Sequence, residues 1–244
     1  MKKPNKEGFA PHPINWSNQK AQRLWDYYGA SRAHQRKYFG ESVGPHLVRV
    51  LQRRRLFRRA KNIVDLSCGT GALIAHILSR ATSEATVAGY DPSLRSVQKA
   101  NRRNVQNPAF AGAFHISEYP TSIPDGAVDL LFLTEVVEHL DDENLSQVLS
   151  ECYRVLSPKG TFIVTTPNEE DLEAANVLCP ECGCTFHMWQ HQRTWKANSL
   201  KDTLNQAGFR RVEIKKITWG NELINLAFII LKRKPTGLLA IAQR

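Results

Sequence analysis

Long hydrophobic runs are missing from this 244-residue chain. The longest apolar stretches, around residues 128–133 and 226–231, fall far short of the roughly 20 residues that cross a bilayer. The basic opening MKKPNKEGF is followed by no apolar segment, so no secretory signal and a cytoplasmic location are expected. Cysteine is scarce and odd in number, five in all, with three crowded between Cys179 and Cys184. Such a set is no disulfide framework; it suits a reducing compartment and a metal. Internal repeats and low-complexity linkers are also lacking. With 42% hydrophobic and 23% charged residues, disorder, a collagen-like fibre and a coiled-coil rod are excluded. The length fits one large domain, or one domain with a helical attachment.

Acids are rare at the start of the chain. Residues 1–61 carry 15 Lys/Arg against Glu7, Asp26 and Glu41, a balance of +12, while the remainder comes to −2. A basic appendage on a near-neutral body attracts anionic partners. Its run Arg53-Arg54-Arg55-Leu56-Phe57-Arg58-Arg59 invites nucleic acid. A solvated helix face with charged stems over apolar neighbours is the preferred reading, because Phe57, the lone interleaved aromatic, matches the apolar side. An anionic lipid-linked or phosphorylated acceptor would use the same charges.

Residues 15–60 read as helical. Trp16-Ser17 offers a cap, Ala21, Leu24, Trp25 and Tyr28 recur at helical spacing, and a second helix covers 45–59. From Lys61 onward, strands at 63–66, 86–90, 112–116, 128–133, 161–165, 211–218 and 223–231 alternate with helices at 71–80, 93–105, 142–156 and 197–207. This α/β pattern predicts a mostly parallel seven-stranded sheet with helices on both faces. The last two strands, joined only by Trp219-Gly220-Asn221, are expected to pair as an antiparallel hairpin at one edge. Residues 168–196 form a long interruption before the last helix, the kind of segment that often carries function. The chain thus divides into a basic helical extension (1–60), a main domain (61–234) with a Cys/His insertion at about 168–196, and a tail (235–244).

The first strand ends in Val64-Asp65-Leu66-Ser67-Cys68-Gly69-Thr70-Gly71 and runs into a helix. Gly69 and Gly71 let the backbone turn tightly and approach a ligand where side chains would not fit. The second strand ends at Asp91, placed to accept both ribose hydroxyls of an adenosine. Together they predict a nucleoside site.

Over about residues 61–231 the chain resembles the class I S-adenosylmethionine-dependent methyltransferases. The resemblance rests on the Asp65–Gly71 bend, Gly89-Tyr90-Asp91-Pro92-Ser93, Pro124-Asp125-Gly126-Ala127-Val128-Asp129, Glu135-Val136-Val137-Glu138-His139-Leu140 and Leu156-Ser157-Pro158-Lys159-Gly160. It implies a Rossmann-like sheet and S-adenosylmethionine as cofactor. The 67–71 loop, Ser67 included, would pass under the methionine part, with Asp65 on its amine, Asp91 on the ribose and Thr134 lining the cleft. A carboxylate at Asp65 suits a sulfonium ligand better than the pyrophosphate of a dinucleotide, which argues against a nicotinamide oxidoreductase. Ser67 stands where the family most often has a glycine, and Ser117 where an Asp often reads the adenine amine; Glu118 is the alternative reader.

Glu135, Glu138 and His139 follow the fourth strand at its carboxyl end, where the methyl acceptor should lie. His139 is the candidate base, a backbone-bonded structural histidine being the alternative. The small-RNA terminal 2′-O-methyltransferases resemble this chain more weakly, in Glu-x-x-Glu-His, Thr165-Thr166-Pro167-Asn168 and His191-Gln192-Arg193-Thr194-Trp195. That resemblance implies a divalent metal gripping vicinal ribose hydroxyls.

Cys179-Pro180-Glu181-Cys182-Gly183 has the shape of a zinc knuckle, which Cys184, His187 or His191 would complete. The alternative is a reduced loop packed by Phe186, Met188 and Trp189. A similar Cys-Pro-x-Cys-Gly, Phe-His, Gln-His-x-Arg run in bacterial methyltransferases points to a lid over the acceptor pocket. Trp16, Trp25, Tyr27, Tyr28 and Tyr38 are expected to pack the N-terminal helices over the cofactor cleft. The sequence therefore reads as a methyltransferase acting on oxygen of a small molecule or saccharide. The alternatives are a metal-dependent RNA 2′-O-methyltransferase and a non-catalytic nucleic-acid or partner-binding module on the same fold. Oligomeric state is not legible.

Overall fold

A computed structural model describes residues 9–219 and 234–244. The chain opens with β1 (His12–Pro13) and four helices, α1 (Asn18–Ala30), α2 (Arg32–Gln35), α3 (Phe39–Ser42) and α4 (Gly44–Arg53). Then β2 (Asn62–Leu66), α5 (Ala72–Leu78), β3 (Thr86–Asp91), α6 (Leu94–Asn104), β4 (Phe110–His115), β5 (Val128–Thr134), α7 (Asp142–Val155) and β6 (Leu156–Pro167) alternate. The insertion carries β7 (Asn176–Leu178) and β8 (Cys184–His187), followed by α8 (Ala197–Gln206), β9 (Arg210–Ile217) and β10 (Gly237–Gln243).

The main sheet has seven strands in the order β4-β3-β2-β5-β6-β10-β9. The first five are parallel, and β10 runs antiparallel to both β6 and β9. This is the expected Rossmann-like α/β fold. Most bounds fall within a few residues of the sequence reading, but the helix expected over 45–59 ends at Arg53, with a separate 3-10 turn at Leu56–Arg58, and β6 starts at Leu156 rather than 161. The edge hairpin exists, but its second arm is Gly237–Gln243, in the segment read as a tail; the expected strand at 223–231 lies outside the described residues. The sequence Gly237-Leu-Leu-Ala-Ile-Ala-Gln243 is apolar enough to be sandwiched between β6 and β9, with Leu238, Leu239, Ala240 and Ala242 buried. Central strands covered on both faces lose the alternation that marks a half-exposed one.

Two apolar clusters fill the space on the two sides of the sheet. Leu145, Leu149, Phe162, Leu204 and Phe209 lie in one, and Leu47, Leu51, Ile74, Ile77 and Phe132 in the other. The second cluster shows what the basic extension does: α4 buries Leu47, Val48 and Leu51, and Phe57 follows them into the core. Arg49, Arg53, Arg54, Arg55, Arg58 and Arg59 lie on the exposed side. Arg54 grips Glu213 of β9 with two hydrogen bonds of 2.6 Å. The charge run is thus the outer face of a packed helix and turn.

Glycines at two adjacent turn positions have different reasons. Gly71 (φ 74°) lies against α6, where an added Cβ would sit 2.6 Å from Asn104 Nδ2 and 2.8 Å from Ala100 Cβ. Gly69 (φ 53°) faces open space, with no atom within 4 Å of such a Cβ. Gly71→Ala is therefore expected to destabilise by about 1–3 kcal/mol from overpacking on top of left-handed strain. Gly69→Ala should show only the strain, about 1 kcal/mol. Urea unfolding of both variants checks the order.

Candidate active site

The bend after β2 builds one half of the site. Asp65, at 1% exposure, lies near the end of β2 in the middle of the sheet. Ser67 (φ 65°), Gly69 and Gly71 then take left-handed backbone. Asp91, closing β3, holds this bend: Oδ2 accepts the Gly69 N–H at 2.7 Å and Oδ1 the Ser93 N–H at 2.8 Å. Each oxygen keeps a further lone pair. Burial pushes Asp91 up to about 6 despite those hydrogen bonds. Burial, with Asp91 nearby, holds Asp65 well above the usual carboxylate range. Asp65 Oδ1 and Thr70 Oγ1 are buried without a hydrogen-bond partner. Two buried carboxylates beside an open glycine bend fit a ligand carrying positive charge and a diol. The other expected cofactor residues frame this cleft less closely. Thr134 is half-buried at the end of β5 opposite Thr165, and Ser117 and Glu118 are exposed just beyond β4.

The second half follows β5. Glu135 takes φ 52°, a left-handed conformation costly for a residue with a side chain. Its Oε1 is buried without a partner, and burial pushes the carboxyl up to about 7. Glu138 is 1% exposed; Oε2 accepts from Thr166 Oγ1 at 2.8 Å, and Oε1 has no hydrogen-bond donor. Burial and Glu135 together raise it well above its ordinary value. His139 Nε2 lies 3.8 Å from Glu138 Oε1. Burial, with His191 adding to it, lowers His139 to about 3, so the ring is neutral at physiological pH.

The insertion closes over these residues. Gln192 N–H donates to Glu138 O (2.8 Å), Gln190 Nε2 to His139 O (3.2 Å) and Arg193 Nε to Leu140 O (2.8 Å). From the other side, α1 lays Trp25 edge-on to the His139 ring at 5.0 Å and donates its indole N–H to Gln190 Oε1 at 2.7 Å. Tyr28 OH donates to Met188 O, and Ser93 Oγ donates to Asp26 of the same helix. Extension and insertion also share a three-stranded sheet in which β1 pairs with β8 and β8 with β7. Of the aromatics expected over the cofactor cleft, Trp25 meets His139, Tyr28 meets Trp189 of the insertion, Tyr38 meets Trp25, Trp16 meets Phe186, and Tyr27 is 63% exposed.

The three thiols of the expected knuckle stay together, Cys182 interacting with both Cys179 and Cys184. Cys179, Cys182 and Cys184 form a tight turn, with Gly183 N–H on Cys179 O and Cys179 N–H on Cys184 O. Backbone N–H groups of Cys182 and Glu181 hold the Cys179 thiol below its ordinary value. His187 and His191 instead meet the Glu170 carboxylate. Cys184 and His187 stand three apart on one strand, and such residues face opposite sides. Among the described residues, the groups of three ligating atoms within 4.8 Å are Glu138–His139–His191 and Glu170–His187–His191, with no cysteine in either.

Glu170, Gln190, Asp26 and Thr166 were not singled out from sequence. Glu170 stands in Asn168-Glu169-Glu170-Asp171, an acidic stretch whose spacing relates to no histidine. The one available signal was its place within a long insertion.

A family model described as a methyltransferase domain matches residues 33–214. The chain belongs to this methyltransferase family. A probable S-adenosylmethionine-dependent methyltransferase from Mycolicibacterium smegmatis is 34% identical over 152 residues, 61% of this chain and 52% of that protein. Myricetin 3'/5'-O-methyltransferase 1 from Solanum habrochaites is 26% identical, covering 70% of this chain and 45% of the relative. The chain thus spans about half the length of these curated relatives. Among solved structures, the Burkholderia thailandensis 1,6-didemethyltoxoflavin-N1-methyltransferase, with bound 1,6-didemethyltoxoflavin and S-adenosylhomocysteine, superposes with a TM-score of 0.68 at 14% identity. It covers 96% of this chain and 93% of its own, and shows the shared fold.

Glu135 offers a direct test of the buried charge. Its carboxyl binds a proton more tightly folded (about 7) than unfolded (about 4.5), so its ionisation costs stability as pH rises between those values. Glu135→Gln should stabilise the ligand-free methyltransferase by roughly 3 kcal/mol at pH 8 and by less than about 1 kcal/mol at pH 5. Urea denaturation at the two pH values checks both sign and window.

Proposed function

We propose that this chain transfers a methyl group from S-adenosylmethionine to an oxygen of a small molecule or saccharide. The observation that carries the reading is the pair of buried carboxylates, Asp65 and Asp91, around the open Gly69 bend. A sulfonium nucleoside brings an ammonium for Asp65 and ribose hydroxyls for the unused lone pairs of Asp91. Methyl transfer is an in-line displacement: the acceptor oxygen forms the new C–O bond while the C–S electrons return to sulfur and the acceptor proton leaves. The enzyme's share is alignment, exclusion of water and reception of that proton. Glu138, His139 and His191 lie where the acceptor would meet the methyl group, under the cover of α1 and residues 190–193. Similarity to O-methyltransferases agrees with oxygen as the attacking atom.

A second reading, metal-assisted transfer to vicinal hydroxyls such as an RNA terminus, is favoured by the donor set. Glu138 offers an undonated buried oxygen, and His139 is neutral and so weakly basic that a proton scarcely competes for its lone pair. Bound there, a divalent ion would supply Lewis-acid activation of a hydroxyl. Glu138, His139 and His191 would hold it, with Glu135 beside them.

Calorimetry with S-adenosylhomocysteine should show binding, with no binding of NADH. Asp91→Ala should abolish it, and unchanged affinity in that variant would remove the ribose assignment. Affinity should also fall as pH drops through about 6, where Asp91 takes up its proton. His139→Ala should lower turnover by about 100-fold or more with little change in cofactor affinity. Loss of turnover in EDTA, restored by Mn²⁺, separates the second reading from the first.

A further inference from the structure

Two imidazoles flank the Glu170 carboxylate, and their hydrogen bonds decide where each ring carries its proton. His187 Nδ1 accepts the backbone N–H groups of Trp189 (3.2 Å) and His191 (3.1 Å). A nitrogen that accepts is unprotonated, so the neutral His187 ring has its hydrogen on Nε2. That Nε2 is buried, has no closer partner, and lies 3.5 Å from Glu170 Oε1. The other carboxylate oxygen, Oε2, lies 2.5 Å from His191 Nδ1. A carboxylate only accepts, hence His191 carries its hydrogen on Nδ1 and its lone pair on Nε2. The two rings stack at 4.4 Å and 19°, and His191 meets the His139 ring at 4.8 Å.

We propose that Glu170, seated on His187, is a positioning residue that locks His191 in the Nδ1–H tautomer and so presents the Nε2 lone pair to Glu138 and His139. This deepens the metal-assisted reading, and the use of the lone pair as a ligand rests on it. A carboxylate on the far nitrogen is the usual support of a ligating histidine, fixing both tautomer and ring orientation. The same reasoning disqualifies His187 as a ligand, since its Nε2 hydrogen occupies the place a metal would take. Of the two ligating groups that share His191, Glu138–His139–His191 is chemically open and Glu170–His187 is its buttress.

The test is two-bond ¹H–¹⁵N correlation spectroscopy of the full chain with ¹⁵N-labelled histidine rings, first without added metal and then with MnCl₂. In the wild type, His191 should show a pyrrole-type Nδ1 and a pyridine-type Nε2, and His187 the reverse. Glu170→Ala should shift His191 toward the Nε2–H form or a mixture. It should leave His187, whose state the backbone sets, unchanged. A general structural collapse would disturb both rings. Should Glu170→Ala fail to fold, Glu170→Gln serves, because its amide both accepts and donates and should leave His191 in a mixture. A wild-type His191 protonated on Nε2, or a variant keeping pure Nδ1–H, overturns the proposal. Mn²⁺ should broaden the wild-type His139 and His191 signals and bind about 10–100-fold more weakly to the Glu170 variants. Sharp signals with the stated tautomers intact would sink the metal reading alone.

Discussion

Uncompensated negative charge buried at the carboxyl ends of β2, β3 and β5 is the constraint around which the rest of the site is arranged. Asp65, Asp91, Glu135 and Glu138 sit within one rim of the sheet, and the described residues place no Lys or Arg ion pair on any of them. Burying even one ionised carboxylate without a partner costs several kcal/mol. The chain tolerates the cost by holding some of these groups protonated, which is why their affinities for protons rise. Charge elsewhere is treated differently: Glu151 is paired with Arg154 and lies below its ordinary value. The rim is therefore a place where positive charge from outside the chain is strongly favoured, at both the cofactor and the acceptor end.

That arrangement requires a cover, because an open rim would be solvated and its field lost to water. The N-terminal extension and the insertion supply it together. Neither stands alone: β1 needs β8, Trp25 needs Gln190, and Tyr28 needs Met188. The backbone at the junctions is strained to fit. Among the described residues, six non-glycine positions take left-handed φ; Ser67, Glu135, Glu169 and Gln190 border the rim or its cover, while Arg55 and Arg211 lie away from it. Strain of this kind persists where surrounding contacts over-determine it.

The parts legible in the sequence are those written in local pattern. Strand–helix alternation, the Gly69/Gly71 bend and the spacing to Asp91 report backbone geometry, and they led to the right sheet with its antiparallel edge. Gly71 was legible as a glycine but not in its reason, because contact with Ala100 and Asn104 is tertiary. In the Cys/His insertion only the thiol spacing is local. Its spacing resembles a metal knuckle, yet strand alternation sends Cys184 and His187 to opposite sides, and the strand itself forms only through pairing with β1 and β7. Glu170 was invisible because nothing local links it to His191, 21 residues onward. Gly237–Gln243 falls in the expected tail because the sequence offers an earlier apolar run, 223–231, directly after Trp219-Gly220-Asn221 as the hairpin's second arm.

Family membership and acceptor chemistry are carried by different parts of the chain. The methyltransferase match begins at residue 33, after α1, so the helix that lays Trp25 on His139 and ties Asp26 to Ser93 lies outside it. Asp65, Gly69 and Asp91 lie on β2, β3 and their turns, all inside the matched range. The acceptor end is not so contained. Its wall is made by a helix preceding the family domain and by a hairpin inserted within it, and the two meet through each other. Substitutions that preserve the sheet can therefore alter the wall built by α1 and the insertion while leaving the bend around Gly69 intact, the expected behaviour of a fold whose functions are set by what is grafted around a constant frame.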